Sequence, residues 1–219
     1  MPKVEPPKGA ILQRDKETYA IVPRIPAGLL PRKDLKAITA VVEKYDIPIV
    51  KVTSGHRIAL VGMTQDQIEP IYKDLDMDPG KAVELCLHYV QACPGTEVCQ
   101  FGIQDSLGMG LKLEEAFAGI DMPAKFKVGV SGCPFCCAEN FVRDLGLMGK
   151  KKGWTLSFGG NSGRKVRAGD IIAEDISDDE AVEMARKLVT YYAEHARKKE
   201  RTSTFVTRHT IEKIITEAL

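Results

Sequence analysis

No apolar run in this 219-residue chain approaches the length that crosses a bilayer. The opening Met1-Pro-Lys-Val-Glu-Pro-Pro-Lys8 lacks the apolar core of a secretory signal. These two absences set membrane classes aside and lead us to expect a soluble, cytoplasmic protein. Charge of one sign is scarce as well. With 31 basic residues against 30 acidic ones, there is no global excess to attract nucleic acid. What the chain does hold is six cysteines, which outside an oxidising compartment favour metal or redox chemistry over disulfides. The length allows a substantial core, as one large domain or two small, intimately packed ones.

The cysteines concentrate between Ala92 and Leu147. One group reads Cys93-Pro-Gly-Thr-Glu-Val-Cys99, the other Cys133-Pro-Phe-Cys136-Cys137. Thiolates from two loops match what a [4Fe–4S] cluster needs at its iron corners. Each loop opens with Cys-Pro, and proline fixes its own φ and removes a donor. Gly95 and Gly132 supply permissive backbone beside the sulfurs. The alternatives are unrelated buried thiols or a structural zinc site.

Cys93 to Ser106, and Ser131 to Glu139, resemble the C-x5-C and C-x3-C motifs of siroheme-dependent sulfite and nitrite reductases. Gly153-Trp154 and Gly159-Gly-Asn161-Ser-Gly163 resemble the glycine-rich segment of the same family. The likeness runs from about Arg24 to the C-terminus. It implies a [4Fe–4S] cluster on Cys93, Cys99, Cys133 and Cys137, with Cys137 also bridging to the siroheme iron. Cys86 and Cys136 are left over. Cys86 reads as a small buried residue, whereas Cys136 is either a competing ligand or a redox-sensitive thiol.

In chain order, residues 1 to 16 are rich in Pro and Lys and read as an arm. Tyr19 to Val22 reads as a strand, followed by a bend at Arg24 to Gly28. Helical spacing spans Lys33 to Tyr45. Ile47 to Thr53 and Arg57 to Gly62 read as strands joined at Ser54-Gly55. Thr64 to Gln67 has capping-box form, with Ile68, Ile71, Tyr72 and Leu75 on one helix face behind it. This βαββα pattern predicts a ferredoxin-like half over 1–78, closed by the turn Asp78-Pro-Gly80. Residues 79–219 form the half that would bind siroheme and cluster. There Val83 to Ala92 is an apolar lead, and Lys112 to Ala118 is predicted helical. Phe126 to Val130, Leu145 to Met148, Trp154 to Phe158 and Val166 to Ile172 read as strands. Ser177 to Glu180 caps a helix that buries Ala181, Ala185, Leu188 and Tyr192. The run Arg197 to Arg201 reads as a solvated helix end, and one last helix spans Arg208 to Leu219. The fold class is α+β.

The oxyanion substrates and the siroheme carboxylates that the resemblance implies call for fixed cations. Lys125 and Lys127 lie two apart, so an extended segment turns both to one face, with Phe126 and Val128 on the other. The resemblance gives such lysines contacts with substrate and cofactor; solvated lysines on an amphipathic strand are the alternative. Many sulfite reductases carry an active-site arginine at the position of Gly55. This chain instead reads Thr53-Ser-Gly-His-Arg57-Ile58, closer to the NADH-dependent nitrite reductases. A shift of two residues keeps the side-chain face and moves its origin by roughly 7 Å. Arg57 is therefore the third candidate catalytic cation, against a solvent-facing arginine. Arg24, Arg143, Asn161, Arg164, Lys165 and Arg167 are the candidate holders of siroheme carboxylates. His56 is a candidate proton donor, or else a surface histidine.

The resemblance thus implies six-electron reduction of sulfite to sulfide, fed by an external electron-donor protein. Nitrite reduction to ammonia is the nearest alternative, and an iron–sulfur carrier without turnover the next. Larger relatives pair two copies of this unit; this chain has one, so its open face suggests a homodimer.

Overall fold

A computed structural model describes residues 7–80, 84–117 and 120–219, and the chain divides into two units at Glu84–Leu85. Residues 1–6 of the expected arm, Val83 and Ala118 lie outside the described residues.

The first unit runs Ala10–Leu12 (β1), Tyr19–Ile21 (β2), Arg32–Lys44 (α1), Ile49–Val52 (β3), Ile58–Met63 (β4) and Gln65–Leu75 (α2). Its strands pair antiparallel in the order β1-β2-β4-β3. The arm expectation therefore needs correcting: Ala10 pairs with Ile21 and is buried, so the sheet gains an edge strand before β2. Ile38 and Val41 of α1 and Ile68, Ile71 and Leu75 of α2 cover Ile21, Leu60 and Met63 in one core. Full burial of each such side chain contributes about 1.5–3 kcal/mol. The capping box forms as predicted, with Thr64 N–H donating to Gln67 Oε1 at 2.9 Å. Asp76, in the left-handed conformation, stops α2.

The second unit holds Leu87–Ala92 (β5), Ser106–Ala116 (α3), Phe126–Ser131 (β6), Leu145–Lys150 (β7), Gly153–Phe158 (β8) and Asp170–Ile176 (β9). Asp178–His195 (α4), Thr202–His209 (α5) and Ile211–Ala218 (α6) follow. The sheet order is β5-β6-β7-β8-β9, parallel through β7 and antiparallel beyond it. Every residue of β8 is buried, as suits a strand covered on both faces. The stripe Ala181, Ala185, Leu188 and Tyr192 of α4 is buried as expected, and Tyr192 packs among Phe126, Phe158 and Phe205. Trp154 Nε1 donates to Asp178 Oδ1 at 2.8 Å, tying β8 to the start of α4.

Four boundaries differ from the sequence expectation. Helix α3 begins at Ser106 rather than Lys112, because the Asp105 carboxylate accepts the Gly108 N–H and caps it there. The last strand is Asp170–Ile176, since Val166 lies exposed in a loop closed by an Asn161–Arg167 bridge. The C-terminal helix is two helices, broken at Thr210, whose φ of 64° lies outside the helical region. The basic run follows the end of α4 with Arg197, Lys198 and Lys199 exposed as expected, but its last two residues are engaged. Glu200 is buried against Arg208, and Arg201 reaches a buried carboxylate described below.

Candidate functional site

Parallel pairing of β5 with β6 sets Ala92 opposite Val130, so both strands release the chain at one edge of the sheet. Cys93 follows β5, and Gly132-Cys133 follows β6. The cysteine loops thus start side by side, at the carboxyl ends of parallel strands where ligands commonly sit. Cys93 N–H donates to Val130 O at 3.1 Å, and the N–H groups of Ile103 and Gln104 both donate to Gly132 O, at 2.9 and 3.0 Å. Gly132 N–H donates to Cys93 Sγ at 3.1 Å; the Ser106 hydroxyl lies 3.3 Å from that sulfur and 2.7 Å from the Cys93 carbonyl. Gly95 makes this closeness feasible. Its φ is +59°, and a Cβ there would stand 2.4 Å from Ser106 Oγ.

The second loop is held by Ser131, whose hydroxyl oxygen accepts the Ala138 N–H at 3.1 Å. Cys93 and Cys133 are buried, Cys99 and Cys136 half-buried, and Cys137 exposed. Cys136 adopts a left-handed φ of 55°. Its thiol lies 3.3 Å from Pro134 O and 3.6 Å from Met148 Sδ. Burial pushes that thiol's pKa up. Among the described residues no three His, Cys, Asp or Glu side chains gather as one metal ion would require. A cubane places its cysteine sulfurs at separate iron corners, and the donor set here suits that arrangement. Backbone N–H donation to Cys93 Sγ is also the kind of contact that tunes a cluster thiolate.

Lys127 is half-buried on β6, with its ammonium 5.9 Å from the centre of the Tyr89 ring. Burial pushes its pKa down, helped by Arg201, Arg143 and Lys125 and opposed by Asp144. Lys125 stands exposed just ahead of the strand, while Phe126 and Val128 are buried on the opposite side as the alternation predicts. Arg143 is only 4% exposed. It donates to Gln91 Oε1 at 2.8 Å and Ser162 Oγ at 3.0 Å and pairs with Glu139, with Tyr89 5.9 Å away. Its Nε, buried, finds no hydrogen-bond acceptor among the described residues.

In the glycine loop, Asn161 Nδ2 donates to Lys165 O, and Arg167 pairs with Asp170 and donates to Gly159 O. These two side chains therefore hold the loop's own shape, whereas Arg164 and Lys165 point outward, exposed. In the first unit, Arg24 is 3.8 Å from Asp78 and Arg57 is 8% exposed, which removes the solvent-facing alternative for Arg57. His56 is exposed, at a φ of 57°.

Sequence reasoning passed over Tyr89, Gln91 and above all Asp144, which is fully buried. Asp144 accepts from Arg201 Nη2 at 2.7 Å, Thr202 Oγ1 at 2.5 Å and the Lys127 backbone N–H at 2.9 Å. Only the polar Arg143-Asp144 step ahead of an apolar strand hinted at it.

Residues 85–218 match the nitrite and sulphite reductase 4Fe-4S domain, and residues 11–78 the nitrite/sulfite reductase ferredoxin-like half domain. Over 208 residues the chain is 58% identical to the assimilatory-type sulfite reductase of Nitratidesulfovibrio vulgaris, covering 95% of each protein. It is 42% identical over 199 residues to the NAD(P)H nitrite reductase of Bacillus subtilis, covering 91% of this chain and 25% of that one. Among solved structures, Mycobacterium tuberculosis NirA aligns at a TM-score of 0.79 and 16% identity, over 92% of this chain and 40% of that one. Dissimilatory sulfite reductase I aligns at 0.81 and 15%, over 92% and 69%. At those identities the structures speak for the α+β fold alone.

Proposed function

The chain belongs to the nitrite and sulphite reductase family, and we propose that it reduces sulfite to sulfide with six electrons from an external donor protein. The observation that carries this reading is the 58% identity to an assimilatory-type sulfite reductase across 95% of both chains. Nitrite reduction to ammonia stands second, because the nitrite reductase relative is less similar and the chain spans a quarter of it.

The proposed cofactors are a [4Fe–4S] cluster and siroheme; when bound they supply single-electron delivery and the redox centre for the oxyanion. Cys93, Cys99, Cys133 and Cys137 would hold the cluster, and exposed Cys137 would be the ligand shared with the siroheme. Arg143, Arg164, Lys165 and Arg24 are the proposed holders of siroheme carboxylates, and Asn161 and Arg167 shape the glycine loop that carries Arg164 and Lys165. The acceptor-less Nε of buried Arg143 supports this role. Lys125, Lys127 and Arg57 would orient the oxyanion and deliver protons as its oxygens leave as water. No helix among the described residues is long and apolar enough to cross a membrane. We also propose a cytoplasmic location, since thiolate ligation of a cluster calls for a reducing compartment. We also propose a homodimer, which sedimentation of cofactor-loaded protein would check.

The deciding experiment is the absorption spectrum of anaerobically purified protein, with iron and acid-labile sulfide assays and viologen-driven turnover on sulfite and nitrite. Siroheme bands plus cluster, with preference for sulfite, support the reading. Cluster without tetrapyrrole leaves an electron carrier, and zinc without labile sulfide defeats both.

Lys127 gives a pH prediction. Its depressed pKa means that the ammonium loses its proton below the ordinary lysine range as pH rises. Turnover should therefore fall along an early alkaline limb. Lys127→Arg should move that limb upward, since a guanidinium stays protonated. Lys127→Ala should lower turnover by about 100-fold while iron content holds. An alkaline limb unmoved in Lys127→Arg would assign it to another group.

A further inference from the structure

We propose that Gln91 is a positioning residue for the cofactor site, holding the Arg143 guanidinium in place while leaving its charge for a siroheme carboxylate. The proposal rests on the reductase reading, in which Arg143 holds such a carboxylate, and adds the residue through which that cation is aimed.

The first observation is a buried amide. Gln91 lies in β5 between Val90 and Ala92 and is 4% exposed. Burying an amide is costly unless it is hydrogen-bonded. Its oxygen accepts from Arg143 Nη2 at 2.8 Å, a partner 52 residues away in the chain. Gly129, which faces Gln91 across the β5–β6 pair, keeps the route open. A Cβ there would stand 2.9 Å from Arg143 Cγ, so the arginine stem crosses β6 where no side chain obstructs it. Tyr89, two residues earlier, shares the strand face of Gln91. Its ring centre lies 5.9 Å from both Arg143 Cζ and Lys127 Nζ, so β5 backs both cations.

The second observation is the choice of acceptors. Arg143 donates to Gln91, Ser162 and Glu139, which joins β5, the glycine loop and the second cysteine loop at one guanidinium. Gln91 and Ser162 are neutral, so they fix the planar fork without cancelling its charge. Glu139 is charged, yet its side chain is 56% exposed where that of Arg143 is 4% exposed. Of the three it is the one that can turn to water and yield its place to an incoming carboxylate without stranding a buried group. A carboxylate at position 91 would hold the fork but neutralise it. An apolar side chain would spare the charge but lose the aim. Glutamine meets both demands.

The test measures siroheme affinity, from the growth of its absorption bands on titration into the cluster-loaded, siroheme-free full chain. Gln91→Leu should weaken binding at least about tenfold, the weight of a hydrogen bond to a charged group, while cluster iron per chain stays at the parent value. Gln91→Glu, with an acceptor of the same reach, should weaken it too, because a second carboxylate then neutralises Arg143. Arg143→Met should also weaken binding, and adding Gln91→Leu to it should cost nothing more, since a positioning residue acts only through the group it positions. An unchanged affinity in either Gln91 variant would overturn the proposal. So would a loss from Gln91→Leu that persists undiminished beside Arg143→Met, the mark of a merely structural role. If Gln91→Leu does not fold, Gln91→Glu decides alone. A parent chain that takes up cluster but no siroheme defeats the reductase reading itself, a failure distinct from missing coupling between the two residues.

Discussion

Cys137→Ser is expected to lose the cluster iron and all viologen-linked turnover, whereas Cys136→Ser should keep about four cluster irons per chain and most of the activity. Spacing alone leaves the doublet ambiguous, because either cysteine could reach a metal. The structure supplies an asymmetry. Cys136 sits at a positive φ that turns its thiol back onto Pro134 O and Met148 Sδ, half-buried, while Cys137 is exposed at the mouth of the loop. A ligand must shed its proton to bind iron, and burial raises the pKa of Cys136, which works against that step. Cys93→Ser and Cys133→Ser should match Cys137→Ser in iron loss, and Cys86→Ser, buried outside both loops, should match the parent. Iron and labile-sulfide assays on anaerobically purified variants provide the readout. Iron retained in Cys137→Ser but lost in Cys136→Ser would reverse the assignment.

The cysteine loops were legible because their chemistry is local: a few residues of fixed spacing, punctuated by Pro and Gly, state their own purpose. Both capping boxes were legible for the same reason, since Thr64–Gln67 and Ser177–Glu180 each close within one turn. What escaped depended on partners far away in the chain. Strand β1 has three residues, and only its pairing with β2 distinguishes it from the Pro-rich arm around it. Helix α3 opens with Gly108 and Gly110, poor helix formers, yet Asp105 caps it and Met109 and Leu113 bury to hold it. Val166 looked like a strand residue but lies exposed in a loop held by Asn161, Arg167 and Asp170. The same limit applied to charge. Arg201 was read as part of a solvated run because its partner, Asp144, lies 57 residues earlier.

Arg201→Ala is expected to destabilise the protein by roughly 3–5 kcal/mol at neutral pH, the largest loss we foresee from any single surface-reachable side chain. Asp144 is fully buried, and Arg201 contacts both of its oxygens, at 2.9 and 2.7 Å. Burial pushes the Asp144 carboxyl up, and Arg201 is the strongest influence pulling it back, ahead of Thr202 and the Lys127 N–H. Without Arg201 a buried carboxylate is left with only neutral donors, and its pKa climbs further. The sign follows from proton counting. A carboxyl whose folded pKa exceeds its unfolded value binds protons more readily when folded, so the stability penalty grows as pH rises from the unfolded pKa to the folded one. The gap between Arg201→Ala and the parent should accordingly be widest at neutral pH and narrow as pH falls. Asp144→Asn combined with Arg201→Met should cost less than Arg201→Ala alone, because no buried charge is then stranded. Denaturant midpoints of the three holoproteins, taken from neutral pH downward, measure both effects. A gap that widened on acidification would mean that Asp144 is not the group left uncompensated. The Lys127 backbone N–H donates to this same carboxylate, so the pair also fixes the strand that presents the proposed catalytic ammonium. Arg201→Ala should therefore lower turnover even where most of the protein remains folded.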